Sequence, residues 1–99
     1  MKSNIDISVF TNKPTIQSTT NNLVDRFKLR RKELKLTQKK LSTRSGVSYG
    51  SIRRFESSGD ISLSSLLKIA NAMDTLNEFN EIFNTPLYTN LKDVKNEKH

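Results

Sequence analysis

The sequence predicts an all-α fold. It places a compact domain of five short helices at residues 15–86, after an extension at 1–14 that contains a candidate strand, and before a charged tail at 87–99. Three observations carry this prediction. Apolar residues recur at helical intervals from Leu23 to Phe83. Ser or Thr stands ahead of several of these runs and Gly stands behind them, as helix caps require. The chain has 99 residues, 33% of them hydrophobic and none of them Cys, so it can bury one small core and has no disulfide or thiolate-metal site to supplement it.

The elements follow in order. Ile5, Ile7 and Val9 alternate with Asp6 and Ser8, the period-two signature of a short strand with one apolar face. A helical domain offers no obvious partner for it, which leaves two readings: an unstructured tail, or pairing with the same segment of a second subunit. Pro14 breaks any strand and suits the first turn of a helix. Ile16, Leu23, Phe27, Arg30 and Leu34 then recur at helical spacing and carry the first helix to about Glu33 or Leu34. Ser18, Thr19, Thr20, Asn21 and Asn22 are poor helix formers, and because several could cap, the start is left open.

Thr37 is suited to cap a second helix carrying Gln38, Leu41 and Arg44, and Gly46 sits where a left-handed residue would stop it. Ser48 caps a third helix. Val47, Ile52 and Phe55 supply its apolar contacts, which leaves Tyr49, Gly50, Arg53 and Arg54 on the outer surface. The segment Ser57-Ser58-Gly59-Asp60 is a turn. Ser62 caps a fourth helix whose broad apolar face, Leu63, Leu66, Leu67, Ile69, Ala70 and Met73, makes it the expected core helix. After Asp74, Leu76, Phe79, Ile82 and Phe83 form a fifth short helix that Pro86 terminates.

Charge is unevenly spread. The net charge is +7, but residues 26–54 hold eleven Lys or Arg against one acid, Glu33, whereas residues 55–99 hold four lysines against seven acids. The basic half could face a polyanion while the acidic half faces elsewhere. The N-terminus lacks the apolar core of a signal peptide, and no run approaches the roughly 20 apolar residues of a membrane span, so a soluble, cytoplasmic protein with no membrane partner is expected. Catalysis has little support: the one histidine is His99, and no metal-ligand cluster or glycine-rich phosphate loop is present, so neither a metal nor a cofactor is expected. RNA binding lacks the stacking aromatics of single-strand modules.

The segment from Leu36 to Glu56 reads as a helix-turn-helix, two short helices joined by Gly46-Val47-Ser48. In such a motif the second helix enters the major groove of double-stranded DNA with its N-terminal residues against base edges. Ser48, Tyr49 and Gly50 occupy that end, Arg53 lies one turn on with reach for a guanine, and Arg54 can reach a base or a phosphate. The first helix of the motif aims its N-terminus at a phosphate, where Thr37, Gln38 and free amides would meet the anion. Lys39, Lys40 and Arg44 add charge nearby, and Ser51, Ser57 and Ser58 are secondary phosphate candidates. Glu56 is an acid in basic surroundings and follows the inward-facing Phe55, so a buried pair with an arginine of the first helix is expected.

Residues 29–83 resemble the XRE family of bacterial and phage regulators, which share the helical fold of the lambdoid phage repressors. The resemblance is carried by Arg31 seven residues before Gln38, Leu36-Thr37-Gln38, Leu41, Gly46-Val47-Ser48, Ile52, Glu56 and the run from Ser62-Leu63 to Ile69-Ala70. It implies that Gln38 contacts a phosphate, that Ser48 to Gly50 and Arg53 or Arg54 read bases, and that Arg31 is the arginine paired with Glu56. A narrower likeness lies in SIRRFESSGDISLSSLLKIANAMDTLNEFNEIF, which is similar to regulators encoded beside HipA-type kinase toxins, including the HipB antitoxins. It implies a homodimer on operator DNA that also holds a kinase toxin; the alternative is a stand-alone regulator without a toxin. Asp74 departs from the glycine often found after the fourth helix, which puts that turn in question. The dimer surface is expected at the fifth helix and the terminal segments.

Overall fold

A computed structural model describes residues 13–87. The expected strand at Ile5–Val9 and most of the charged tail lie outside the described residues. Those described form five helices: α1 (Ile16–Glu33), α2 (Gln38–Ser45), α3 (Tyr49–Ser58), α4 (Leu63–Ala72) and α5 (Leu76–Phe79). There is no strand among them.

Hydroxyl side chains start the first four helices. Thr15 opens α1 in a capping box, its Oγ1 accepting from the Ser18 N–H at 2.9 Å while the Thr15 N–H donates to Ser18 Oγ at 3.0 Å. The helix therefore runs through the Ser-Thr-Thr-Asn-Asn stretch that left its start open. Thr37, Ser48 and Ser62 cap α2, α3 and α4 by accepting from Lys40, Ser51 and Ser65. Gly46 and Gly59 end α2 and α3 at φ 78° and 81°. Gly59 is fixed twice over, because a Cβ there would collide with the methyl group of Thr20 on α1.

The other two long helices end without glycine. After α1 the N–H of Leu36 donates to Arg31 O and that of Lys35 to Lys32 O, with Lys35 at φ 61°. After α4 the N–H of Thr75 donates to Ala70 O and that of Asp74 to Asn71 O, with Asp74 at φ 60°. Both are Schellman closures. Asp74 thus takes the left-handed position where glycine is common, and the turn into α5 is kept.

Among the described residues the largest fully buried side chains are Leu41 from α2, Ile52 and Phe55 from α3, and Ile69 from α4. Val24, Phe27, Leu36, Val47, Ala70 and Met73 complete the core, and the Phe27 and Phe55 rings meet edge to face with centroids 5.0 Å apart. α2 packs on α3 and α4, α3 on α1, and α5 on α4. The core is therefore shared among α1, α2, α3 and α4, and the expected breadth of the α4 face narrows: Leu66 and Leu67 are half-buried and Leu63 is exposed.

Two further expectations are corrected. The inward stripe of α1 runs through Val24, Phe27 and Arg31, not through Ile16, Arg30 and Leu34; Ile16 and Leu34 are exposed. The reason is the short neighbour: α3 and the Gly59 turn after it meet the 18-residue α1 at Thr20, Val24, Phe27 and Arg31, and among the described residues nothing covers Ile16. The fifth helix is one turn long. It gives way after Phe79 to i to i+3 hydrogen bonds from the N–H groups of Asn80, Glu81, Ile82 and Asn84, and Ile82 and Phe83 are exposed instead of packed on a helical face.

Candidate nucleic-acid interface

The exposed surface of the motif is built on a rigid buried bracket. Arg31 donates from Nε and Nη2 to the two carboxylate oxygens of Glu56, at 2.7 and 3.0 Å, and from Nη1 to the backbone oxygen of Leu36 at 2.9 Å. Gln38 Nε2 donates to Glu56 Oε1 at 3.0 Å. The side chains of this pair are 10% and 6% exposed, so each charge is desolvated and is held by the other. The Glu56 carboxylate thereby joins α3 to α1 and to the first residue of α2, and Arg31 ties in the turn before α2. The relative orientation of the two motif helices is set by this network.

Gln38 was expected to face a phosphate, and its amide is partly committed inward. Its remaining Nε2 hydrogen and the backbone N–H at the N-terminus of α2 are left for an anion. Thr37 is exposed beside it, with Oγ1 engaged by the Lys40 N–H at 3.0 Å.

Ser48, Tyr49 and Gly50 lie together at the exposed N-terminus of α3. Ser48 Oγ accepts from the Ser51 N–H at 3.1 Å and donates to Ser51 Oγ at 2.8 Å, so both hydroxyls belong to the cap. The Tyr49 ring has Lys39 Nζ and Arg53 Cζ each 5.5 Å from its centroid. Tyr49 thus bridges α2 and α3 between two cations, within the range of cation–π attraction. At Gly50 the backbone is ordinary and a Cβ would meet nothing within 4 Å. The protein's own packing does not demand glycine there.

Gly50, Arg53, Arg54, Ser57, Gln38 and Glu56 share one shallow depression with Lys28 of α1. Lys28 was not singled out in the sequence, where it is one cation among many; only the crossing of α1 behind α3 brings it to this surface. Ser57 Oγ donates to Arg54 O at 3.2 Å, so its hydroxyl hydrogen has to turn away from that carbonyl to meet a phosphate. Arg44 stands apart from the cluster. It sits in the last turn of α2, about 9 Å along the axis from Gln38, where its charge also complements the helix C-terminus.

Lys39, Lys40, Arg44, Arg53 and Arg54 are all exposed, and none has an acid partner among the described residues. The ion pairs that do form use Arg30 and Arg31. A row of uncompensated cations on two adjacent short helices, over a buried bracket that fixes their angle, is suited to a polyanion with regular spacing. No helix among the described residues is long and apolar enough to cross a membrane.

Comparison with known proteins agrees with this geometry. No curated protein and no solved structure matches the chain. The helix-turn-helix family model matches residues 27–79, more than half of the chain and the whole of α2, α3 and α4. The capped helix pair, the glycine turn at Gly46 and the basic outer face of α3 are therefore those of a DNA-binding regulator, and the chain belongs to the XRE-type helix-turn-helix family.

Proposed function

We propose that this protein is a sequence-specific transcriptional repressor that binds a palindromic operator near its own gene as a homodimer. The observation that carries the reading is the outer face of α3: Tyr49, Gly50 and Arg53 exposed together, with Arg53 held against Tyr49. Ser48, Tyr49, Gly50, Arg53 and Arg54 read base edges in the major groove, Arg53 through a guanine contact worth roughly 1–3 kcal/mol of discrimination. Thr37, Gln38, Lys39, Arg44, Ser51 and Ser57 meet phosphates and set the docking register. Arg31 and Glu56 hold the frame and touch no DNA. One domain supplies few base contacts, so two protomers occupy half-sites about 34 Å apart.

The test is a titration against the DNA upstream of its own gene, with scrambled DNA as control and Arg53→Ala alongside. Tight binding to the upstream DNA alone, reduced at least about tenfold in the variant, is the expected result. Equal affinity for both DNAs refutes specific repression and leaves a nonspecific basic surface.

A second role is compatible with the first. The likeness of residues 51–83 to regulators encoded beside HipA-type kinase toxins supports an antitoxin that holds such a kinase and autoregulates its own operon. Co-purification with a kinase encoded by the neighbouring gene is expected on this reading. A co-expressed neighbouring kinase that is neither bound nor restrained would remove the antitoxin role and leave a stand-alone regulator.

A further inference from the structure

We propose that Phe83 is a knob that docks into the apolar groove between α1, α4 and α5 of a second copy of this chain, so that two copies exchange phenylalanines across a two-fold axis. The proposal rests on the homodimer reading above and names the contact that makes the dimer.

The groove has a volume of about 260 Å³, and its walls are largely apolar: Leu23 and Phe27 from α1, Met73 after α4, and Phe79 and Ile82 from the last turns. None of the base-reading residues lines it. Water held against such a surface is released when an aromatic ring replaces it, and the space admits one ring. The knob follows the lining residue Ile82 in the chain. Phe83 is 100% exposed, so its ring gains nothing from its own chain, and it adopts φ 62°, a conformation uncommon for a bulky residue. The hydrogen bonds Ile82 N–H to Phe79 O and Asn84 N–H to Glu81 O hold this turn in shape.

Knob and hole are on one patch. Ile82 lines the groove and Phe83 follows it, which is the self-complementarity that a two-fold contact needs. Leu76 and Leu87 extend the exposed apolar surface on either side of the turn.

The charges agree with the same occupant. Arg26 is at the groove rim, exposed and without an acid partner among the described residues, whereas Arg30 is taken by Glu78 at 2.8 Å. Two residues before Phe83 stands Glu81, exposed, its carboxylate accepting from Asn84 Nδ2 at 3.1 Å. A segment bearing an acid and an aromatic ring therefore faces a groove that offers a cation and an apolar floor. A second copy supplies that segment without any other partner being invoked.

The test is sedimentation equilibrium of the full chain without DNA. The wild-type chain is expected to be dimeric at low micromolar concentration, and Phe83→Ala to raise the dimer dissociation constant at least about thirtyfold, since large aromatics at the centre of an interface dominate its energetics. The fully exposed ring is dispensable to the monomer, so circular dichroism of Phe83→Ala should match the wild type. Arg26→Glu and Glu81→Arg should each weaken the dimer by about tenfold, and the double variant should recover to within roughly threefold of wild type. Recovery in the double variant is a result that mere damage to the surface cannot give. A Phe83→Ala chain that dimerises as tightly as wild type overturns this contact while the homodimer reading stands. A wild-type chain that stays monomeric at roughly 100 µM, alone and on operator DNA, overturns both.

Discussion

Gly50 is the residue at which stability and function make opposite demands. Glycine in a helix costs about 0.5–1 kcal/mol relative to alanine, and here neither the backbone conformation nor a close neighbour requires it. What the missing side chain leaves is room beside Ser48 and Tyr49 for the edge of a base or a thymine methyl. Gly50→Ala should therefore raise stability by about 0.5–1 kcal/mol in urea unfolding while lowering operator affinity about tenfold or more. A variant that is more stable and binds as well as wild type would show that the gap has no partner. Tyr49 acts in the other direction, restricting Arg53 and Lys39 before any DNA arrives and so lowering the ordering cost of two long side chains. The placement of Ser48, Tyr49, Gly50 and Arg53 on one exposed face was legible in the sequence, because caps and a three-to-four-residue period fix which side of a short helix faces out. The inward bond of Gln38 was not. It depends on where Glu56 of α3 comes to rest against the start of α2, a tertiary fact that spacing along one helix does not contain.

At the scale of the elements, the sequence announced the starts of helices better than their ends. Starts are local: a hydroxyl two or three residues from a free amide is sufficient, and Thr37, Ser48 and Ser62 each supply one. Ends are legible where glycine marks them, as at Gly46, and silent where Lys35 and Asp74 accept the left-handed conformation instead. The extent of α5 is silent in the sequence for a related reason. Its apolar residues have helical spacing, but no packed face rewards a second turn of helix in one chain, and spacing alone does not hold so short a helix together. The two non-glycine closures give a prediction. Lys35 and Asp74 are exposed and only their backbone is used in the turn, so Lys35→Gly and Asp74→Gly each exchange a strained residue for a relaxed one. Each change should stabilise the domain by about 0.5–1 kcal/mol, less the entropy glycine adds to the unfolded chain, and the two sites are separate enough for the gains to add. Thermal unfolding of the two single variants and the double variant checks this. A loss of stability in both singles would mean that the side chains contribute more than the geometry of the turn.

Across the whole molecule, the basic stretch at residues 26–54 becomes a surface because α1, α2 and α3 are consecutive and both α1 and α2 pack on α3, and the one arginine buried among them is neutralised by Glu56. What remains outward at the motif is Lys28, Lys39, Lys40, Arg44, Arg53 and Arg54, all uncompensated among the described residues. Not all six neutralise a phosphate, since Arg53 and Arg54 are assigned to base edges. If three per protomer meet phosphates, a dimer neutralises six, and the slope of log affinity against log salt is about −5. Between 50 and 200 mM salt that amounts to roughly a thousandfold loss of affinity. Lys39→Ala should then reduce the slope by about 2, one phosphate in each half-site, and weaken operator and scrambled DNA alike, whereas Arg53→Ala should mainly narrow the difference between them. The slope also counts protomers independently of any measurement on the free protein. A value near −3, unchanged by the operator's second half-site, would mean that one protomer binds alone and that the apolar face at the end of the fold serves something other than DNA recognition.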